Sequence, residues 1–148
     1  MIRVGSFVTR RWASRNALLV TVRNGEETDA FKTASNSFNS SFPNQLEAAG
    51  GLPKTGQVRN FFGVSDKYPI VTVTAHCDKD NSSSEGRDEQ RENIRKAIAN
   101  GVKSLNDFGI DNVDIATDGC AMAAGEAAKM TVWNYKQEKI DKMPKSFR

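Results

Sequence analysis

Long apolar runs, histidine and cysteine are all scarce in this chain of 148 residues. The longest uninterrupted aliphatic stretch, residues 17–20, is far shorter than the roughly 20 apolar residues of a membrane-spanning helix, so no membrane partner is expected. A single histidine, His76, excludes any pair of histidines that could hold a metal from one helix. The two cysteines, Cys77 and Cys120, lack Cys-x-x-Cys spacing, which argues against a disulfide framework and favours a reducing compartment.

Positive charge is concentrated at the two ends of the chain, although the net charge is only +3. Residues 1–15 carry four arginines and no acidic residue, so the remaining residues have a net charge near −1. A second basic cluster near the end consists of Lys136, Lys139, Lys142, Lys145 and Arg148, partly offset by Glu138 and Asp141. Without an array of aromatic stacking platforms, this cluster is interpreted as a solvated helix end and tail, and no nucleic-acid partner is expected.

Residues 1–15 have the composition of a targeting leader. They are rich in arginine, contain serine and threonine, and lack acidic residues, which is typical of a mitochondrial presequence. Val4, Val8 and Trp12 recur at helical spacing, as in an amphipathic helix. We therefore expect import into the mitochondrial matrix. The alternative is a basic tail on a cytoplasmic protein.

The first half of the body alternates between strand and helix patterns. Residues 17–22 form an apolar, β-branched run that predicts a buried strand, and Asn24-Gly25 breaks it. Thr28 can cap a helix whose apolar positions recur every three or four residues up to Phe42, and Pro43 is expected to end it. Residues 43–56 are predicted to form a loop. Residues 57–64 and 68–76 predict the two strands of a hairpin.

The second half predicts a helix over residues 88–108, a strand over 112–117 and a last helix over 121–138. Gly101 lies on the apolar face of the first of these helices, and small residues dominate the start of the second. The order β-α-β-β-α-β-α favours a three-layer α/β domain over residues 16–138, with at least one right-handed parallel crossover. Residues 139–148 are predicted to be a basic tail or the start of a linker.

Few residues invite a chemical role. His76 and Cys77 are neighbours on a predicted strand, so their side chains point to opposite faces and cannot readily share one ion. Cys120 precedes a helix, where a thiol pKa can fall, but no histidine base accompanies it. Asp118-Gly119 and Gly125 flank the start of that helix, where backbone N–H groups can hold a phosphate. Because Asp118 would repel an anion, helix capping is the preferred interpretation.

Three segments in matching order resemble the N-terminal domain of the leucine (cytosol) aminopeptidase family. Residues 54–63 (Lys-Thr-Gly-Gln-Val-Arg-Asn-Phe-Phe-Gly), followed by 68–71, are similar to the family's Gly-x-x-Arg-x-Phe-Tyr-Gly segment. Residues 91–101 are close to its Glu-Asn-Ile-Arg helix. Residues 123–128, continued to Trp133-Asn134-Tyr135, resemble its small-residue helix that ends in an aromatic. Residues 75–78, Ala-His-Cys-Asp, depart from the glycines that the family usually has there.

The resemblance implies a macro-domain-like fold, a mixed sheet flanked by helices, and a longer homohexameric parent enzyme. That parent would hold two divalent metals (Zn, Mn or Mg) in a separate catalytic domain, with a lysine, several carboxylates and an arginine around them. This ligand set is missing from the sequence, and Glu85-Gly86-Arg87 is only an echo of its signature. We therefore assign no catalytic, metal or cofactor residue and expect the chain alone to be inactive.

Three functions remain open after the resemblance is taken into account. In the first, the chain is the non-catalytic N-terminal domain of a leucyl aminopeptidase, and it supports assembly and substrate access beside the catalytic domain and sibling subunits. In the second, it is a stand-alone structural or regulatory paralogue that joins full-length subunits. In the third, it is a macro-like module that binds ADP-ribose or another nucleotide, with the region of Asp118 and Gly119 as the position to inspect.

Overall fold

A computed structural model describes residues 15–77, 89–132 and 146–147 of the chain. Its strands are β1 (Asn16–Arg23), β2 (Val58–Phe62), β3 (Ile70–His76), β4 (Asn112–Ala116) and β5 (Ser146–Phe147). Its helices are α1 (Asp29–Ser35), α2 (Phe42–Ala48), α3 (Glu89–Asn106) and α4 (Ala121–Val132). No helix within these ranges is both long enough and apolar enough to cross a membrane.

The described strands form one mixed sheet in the order β2-β3-β1-β4-β5. The central strand β1 runs parallel to β3 and to β4, so that Leu19 lies between Thr72 on one side and Ile115 on the other. Strand β2 is antiparallel to β3, as the predicted hairpin requires, and β5 is parallel to β4. Parallel neighbours need crossover connections, which the chain provides through helical segments. The predicted mixed α/β sheet is confirmed.

Alternate residues of β1 face two separate hydrophobic cores, which gives the molecule three layers. Ala17 and Leu19 point towards the side covered by α3 and α4, where Ile94 and Ile98 are fully buried. The other set, Leu18, Val20 and Val22, points towards α1 and α2. In that core these residues pack with the buried rings of Phe31, Phe42 and Phe61. Because both faces of the strand are covered, it reads in the sequence as a continuous apolar run rather than as an alternating one.

Helix α3 lies very close to the sheet at one position. Its buried residues are the predicted apolar face: Ile94, Ala97, Ile98, Gly101, Val102 and Leu105. A Cβ atom added to Gly101 would lie 2.8 Å from Thr74 Cγ2 and nearer still to Leu19 Cδ1, which is closer than carbon atoms pack. The absence of a side chain at Gly101 therefore sets the distance between helix and sheet.

The segment around Pro43 differs from its prediction. The helix capped by Thr28 ends at Ser35, and a second helix, α2, begins at Phe42 with Pro43 in its first turn. Proline is well suited to that position, because its fixed φ matches the helix and its missing N–H has no partner there. The periodic phenylalanines still share one core, since the rings of Phe38 and Phe42 lie 4.8 Å apart across the break. Pro43 starts a helix instead of ending one.

The ends of the domain also differ from what the sequence predicts. Strand β5 lies in the stretch interpreted as a basic tail or linker, and it pairs Ser146 with Asn112 and Phe147 with Val113. Arg15, counted with the leader, donates its backbone N–H to Asp111 at 3.0 Å and its guanidinium N–H to the Phe108 carbonyl at 3.0 Å. The rest of the leader, the Glu85-Gly86-Arg87 segment and residues 133–138 of the last predicted helix lie outside the described residues.

Candidate functional site at the carboxyl ends of the parallel strands

Most residues singled out in the sequence lie at one edge of the sheet. β1 ends at Arg23, β3 at His76, and β4 runs into Thr117 and Asp118, so the carboxyl ends of three parallel strands meet there. In open α/β sheets, this is the edge at which ligands bind. The structure therefore brings His76, Cys77, Asp118, Gly119 and Cys120 to the most plausible ligand-binding edge, whereas Gly125 lies farther along α4.

His76 is buried, and its hydrogen bonds are to neighbouring parts of the chain. Its side chain is only 5% exposed, and its ring Nδ1 lies 3.1 Å from the carbonyl oxygen of Cys77. The His76 carbonyl accepts hydrogen bonds from the backbone N–H of Asn24 at 3.1 Å and from Thr55 Oγ1 at 3.4 Å. These contacts tie the end of β3 to the turn after β1 and to the loop before β2. Cys77 is half-buried beside it.

Asp118 is bonded to the start of α1 across the edge. Its two carboxylate oxygens accept the backbone N–H groups of Asp29 at 3.1 Å and of Ala30 at 2.9 Å. Thr28 completes this helix start, as predicted, because its Oγ1 accepts the N–H of Phe31 at 3.2 Å. The sequence placed Asp118 at a helix start, but the structure assigns it to α1, 89 residues earlier, and not to the adjacent α4. The amides that could bind an external anion are thus already bonded to a carboxylate.

The turn between β4 and α4 has an unusual backbone. Gly119 and Cys120 have φ angles of 66° and 44°, in the left-handed region that residues other than glycine seldom adopt. The Cys120 carbonyl accepts the Ala124 N–H at 3.1 Å, so Cys120 is the N-cap residue of α4. Its half-buried side chain packs against the α3–α4 core.

One cavity that the described residues form at this edge is small and acidic. It has a volume of about 190 Å³ and is lined by Arg23, Glu26, Glu27, Thr28, Asp29 and Asp118. Ligand pockets usually measure about 300–1,000 Å³, so a nucleotide would not fit without rearrangement. Four carboxyl groups against one guanidinium also make the space unfavourable for phosphate. This cavity does not fit the phosphates of ADP-ribose.

The metal pair implied by the family resemblance does not fit the described residues either. A hydrolytic pair of metals needs several carboxylates and nitrogen ligands that converge on one point. Within residues 15–77, 89–132 and 146–147, no group of three or more His, Cys, Asp and Glu side chains is placed to hold an ion. At the acidic edge, Asp118 already accepts two backbone N–H groups.

Two polar contacts near the sheet have no local sign in the sequence. Thr21 Oγ1 donates to Thr117 Oγ1 at 3.0 Å and so links the ends of β1 and β4. Tyr68 Oη donates to Asp114 Oδ2 at 2.5 Å from the loop before β3. Burial and this hydrogen bond raise the pKa of Tyr68 above its usual value, because both favour the neutral phenol. These pairs connect segments that are far apart in the chain, so periodicity could not have revealed them.

Cytosol aminopeptidases are similar to this chain in sequence. The Bos taurus protein is 31% identical over a region that covers 74% of this chain and 22% of its own length. The Xenopus tropicalis protein is 28% identical over 78% of this chain and 22% of its own length. The chain is related to the cytosol aminopeptidases. It spans about a fifth of these cytosol aminopeptidases, consistent with the predicted match to the N-terminal domain of the family. No family model matches the chain.

Solved macro domains share the fold of this aminopeptidase relative. The macro domain of ganglioside induced differentiation associated protein 2 aligns with a TM-score of 0.62 at 12% identity, covering 88% of this chain and 67% of that domain. A macrodomain mutant from Oceanobacillus iheyensis gives 0.61 at 12% identity, covering 91% and 77%. At such identity the likeness shows the fold alone. The macro-domain-like α/β architecture is confirmed.

Proposed function

We propose that this chain acts as the non-catalytic N-terminal domain of a leucyl aminopeptidase. In this role it supports assembly with the catalytic domain and sibling subunits of a homohexamer, and it shapes access of peptides to them. The observation that carries the proposal is the partial match, which covers most of this chain but only 22% of the Bos taurus enzyme. Any metal-dependent hydrolysis would then depend on residues outside the matched part.

The bonding of Asp118 and the small acidic cavity at the strand edge support this role over nucleotide binding. Asp118 occupies the α1 amides with an internal carboxylate, and the cavity that it lines is small and acidic. A carboxylate bonded to these amides stabilises the start of α1 and makes the same amides unavailable to a phosphate. We infer that the fold serves as a scaffold, and that its contacts with the catalytic domain and sibling subunits lie on surfaces away from this strand edge.

Two experiments test the proposal. The first is the intact mass of the native protein, recovered from its source with an antibody raised against this chain. A product several times longer, which releases leucine from a leucyl amide when manganese or zinc is present, is expected. A native mass equal to that of this chain would instead support the stand-alone structural or regulatory paralogue.

The second experiment mixes the purified 148-residue chain with full-length aminopeptidase subunits from the same source. The expected result is co-elution in size-exclusion chromatography after subunit exchange, with no leucine released by the chain alone. Catalysis by the chain alone would contradict the non-catalytic role. Failure to co-elute under conditions where tagged full-length subunits exchange would contradict the assembly role.

The third candidate function, binding of ADP-ribose or another nucleotide, is favoured by the macro-domain fold alone. A thermal-shift titration separates it from the scaffold role, since a ligand at 100 times its dissociation constant adds about 2.7 kcal/mol of stability. We expect no shift with ADP-ribose. A saturable upward shift would establish the nucleotide-binding alternative.

We also propose the mitochondrial matrix as the location of the protein, with the cytoplasm as the alternative. The proposal rests on the acid-free, arginine-rich composition of residues 1–15. A fluorescent fusion to the carboxyl end of the chain should co-localise with a matrix marker. A matched fusion with the arginines at positions 3, 10 and 11 changed to glutamate should remain cytoplasmic. Identical localisation of both fusions would contradict the leader assignment.

A further inference from the structure

A groove with an apolar floor and a basic rim runs between α3 and α4 on the outer surface of the domain. It has a volume of about 420 Å³ and shares no lining residue with the acidic cavity at the strand edge. On its α3 side, Lys96, Ala99 and Lys103 follow one another at spacings of three and four residues, so they form a single stripe on the helix. Lys96 and Lys103 are exposed, and neither makes an ion pair with another described residue.

The α4 side of the groove is apolar and unusually open. Ala127 and Met130 line it, together with Thr131, whose hydroxyl is occupied by a hydrogen bond to the Ala127 carbonyl at 2.7 Å. Met130 is 74% exposed, and Met122, two helical turns earlier, is 77% exposed. Flexible methionine side chains are common on surfaces that accept a partner helix.

An ion pair joins α3 and α4 at a residue that lines the groove. Arg95 reaches from α3 to Glu126 on α4 at 2.7 Å and also contacts Glu92 on its own helix. These two carboxylates raise the pKa of Arg95 and offset its charge. The charge available to a partner is therefore that of Lys96 and Lys103, which stand about 10.5 Å apart along the helix axis for seven residues.

We propose that the α3–α4 groove binds an acidic amphipathic helix of a partner polypeptide. Its apolar side chains would lie on Ala99, Ala127 and Met130, and carboxylates two turns apart would meet Lys96 and Lys103. In such an arrangement, the bound helix contacts the groove through side chains spaced three, four and seven residues apart. The inference concerns the exposed surface of this domain and does not depend on the identity of the parent enzyme.

Charge complementarity favours an external acidic partner over the segment that follows α4. Residues 133–145 follow α4 directly in sequence and contain four lysines but only two acidic residues. Their net positive charge has the same sign as the groove rim, so they would be repelled by Lys96 and Lys103. An acidic helix has the opposite sign along its whole length.

The first test measures binding of a labelled synthetic helix by fluorescence anisotropy. The probe carries glutamate at positions i and i+7 and leucine at i+3 and i+4, and the control peptide replaces each glutamate by lysine. The acidic peptide should bind at least about tenfold more tightly, which corresponds to about 1.4 kcal/mol. Equal binding of both peptides, or no binding of the acidic one, would overturn the proposal.

Charge-reversal variants locate the site. The double variant Lys96→Glu/Lys103→Glu should weaken binding of the acidic peptide at least about tenfold. Raised salt should also weaken binding of this peptide to the unaltered chain, because it screens the charges. The matched control, Lys32→Glu/Lys54→Glu, makes the same charge change at exposed positions away from the groove and should bind like the unaltered chain. Circular dichroism confirms that both variants are folded. Equal weakening by both would place binding elsewhere and refute the groove assignment.

The second test asks whether the groove is open in the free protein. Met130→Cys and, as a reference, Met122→Cys are labelled with a maleimide in a Cys77→Ser/Cys120→Ser background. Both should react at similar rates, and the acidic peptide should protect only position 130. Slow labelling at position 130 without peptide would show that another part of the same chain covers the groove, which contradicts an external occupant.

Discussion

Gly101 offers the sharpest test of how the helix layer sits on the sheet. A Gly101→Ala substitution would place a methyl group 2.8 Å from Thr74 Cγ2, 3.1 Å from Leu19 Cδ2 and nearer still to Leu19 Cδ1. Both neighbours are completely buried, so neither can move into solvent. Overpacking of this kind costs about 1–3 kcal/mol, and contact with two buried side chains places it near the upper end.

The intrinsic preference of the helix acts in the opposite direction. Alanine is favoured over glycine in a helix interior by about 0.8–1.0 kcal/mol, so the net loss for Gly101→Ala is about 2 kcal/mol. The matched control is Gly125→Ala in α4, where an added Cβ meets nothing within 4 Å. That variant should be more stable than the unaltered chain by about 1 kcal/mol, because only the helix preference acts.

Urea unfolding and thermal unfolding, each followed by circular dichroism, measure the stability and the Tm of both variants in the 148-residue chain. For a domain of this size, 1 kcal/mol corresponds to roughly 2–4 °C in Tm, so the two variants should differ by about 6–12 °C. If Gly101→Ala were as stable as the unaltered chain while Gly125→Ala gained stability, the close approach of α3 to the sheet would be wrong. An equal gain in stability for both variants would likewise contradict the close approach of α3 to the sheet.

Substitutions at three further positions test the polar contacts and the core beneath α1 and α2. Tyr68→Phe should cost roughly 1–2 kcal/mol through the lost bond to Asp114. Because the pKa of Tyr68 is raised in the folded chain, the stability that its neutral phenol contributes is complete below about pH 10 and is lost as the pH rises through the raised pKa. The free energy of unfolding should therefore fall less steeply with rising pH in the variant than in the unaltered chain. Asp118→Ala should cost about 1 kcal/mol by uncapping α1, measured in the same urea assay, with Asp118→Asn in between. Phe42→Ala should cost about 3–5 kcal/mol, since its ring packs 5.2 Å from that of Phe61; a loss below 1 kcal/mol would contradict this packing.

The sequence was most informative where burial is two-sided or periodic. The continuous apolar run of β1, the hairpin of β2 and β3 and the buried face of α3 were all predicted from their spacing. In each case, the pattern arises from contacts that recur at the period of the element itself. Such contacts are visible in a short stretch of sequence.

The errors occurred where distant contacts decide the local structure. The phenylalanine spacing suggested one helix, because residues before and after the break serve the same core, and Pro43 fits the start of a helix as well as its end. Strand β5 is only two residues long and is held by pairing with β4. A stretch that short carries no periodicity.

The sequence singled out residues at this edge, but it predicted neither that they come together nor how they are bonded. The sequence placed polar and cysteine residues after β3 and β4, and the parallel sheet brings those segments together. The bond from Asp118 to the amides of α1 spans 89 residues, so its partner could only be found from coordinates. Capping was the right interpretation of the residue, although the capped helix was the wrong one.

The central position of β1 has a consequence for synthesis of the chain. This strand leaves the ribosome before the rest of the sheet, yet its pairing with β4 brings together residues 96 positions apart, such as Asn16 and Asn112. Contacts of such long range form slowly, and an apolar strand without its neighbours is prone to aggregate. A nascent chain that stops before β4 should therefore need a chaperone to stay in solution, whereas one that includes β4 can close the sheet around β1.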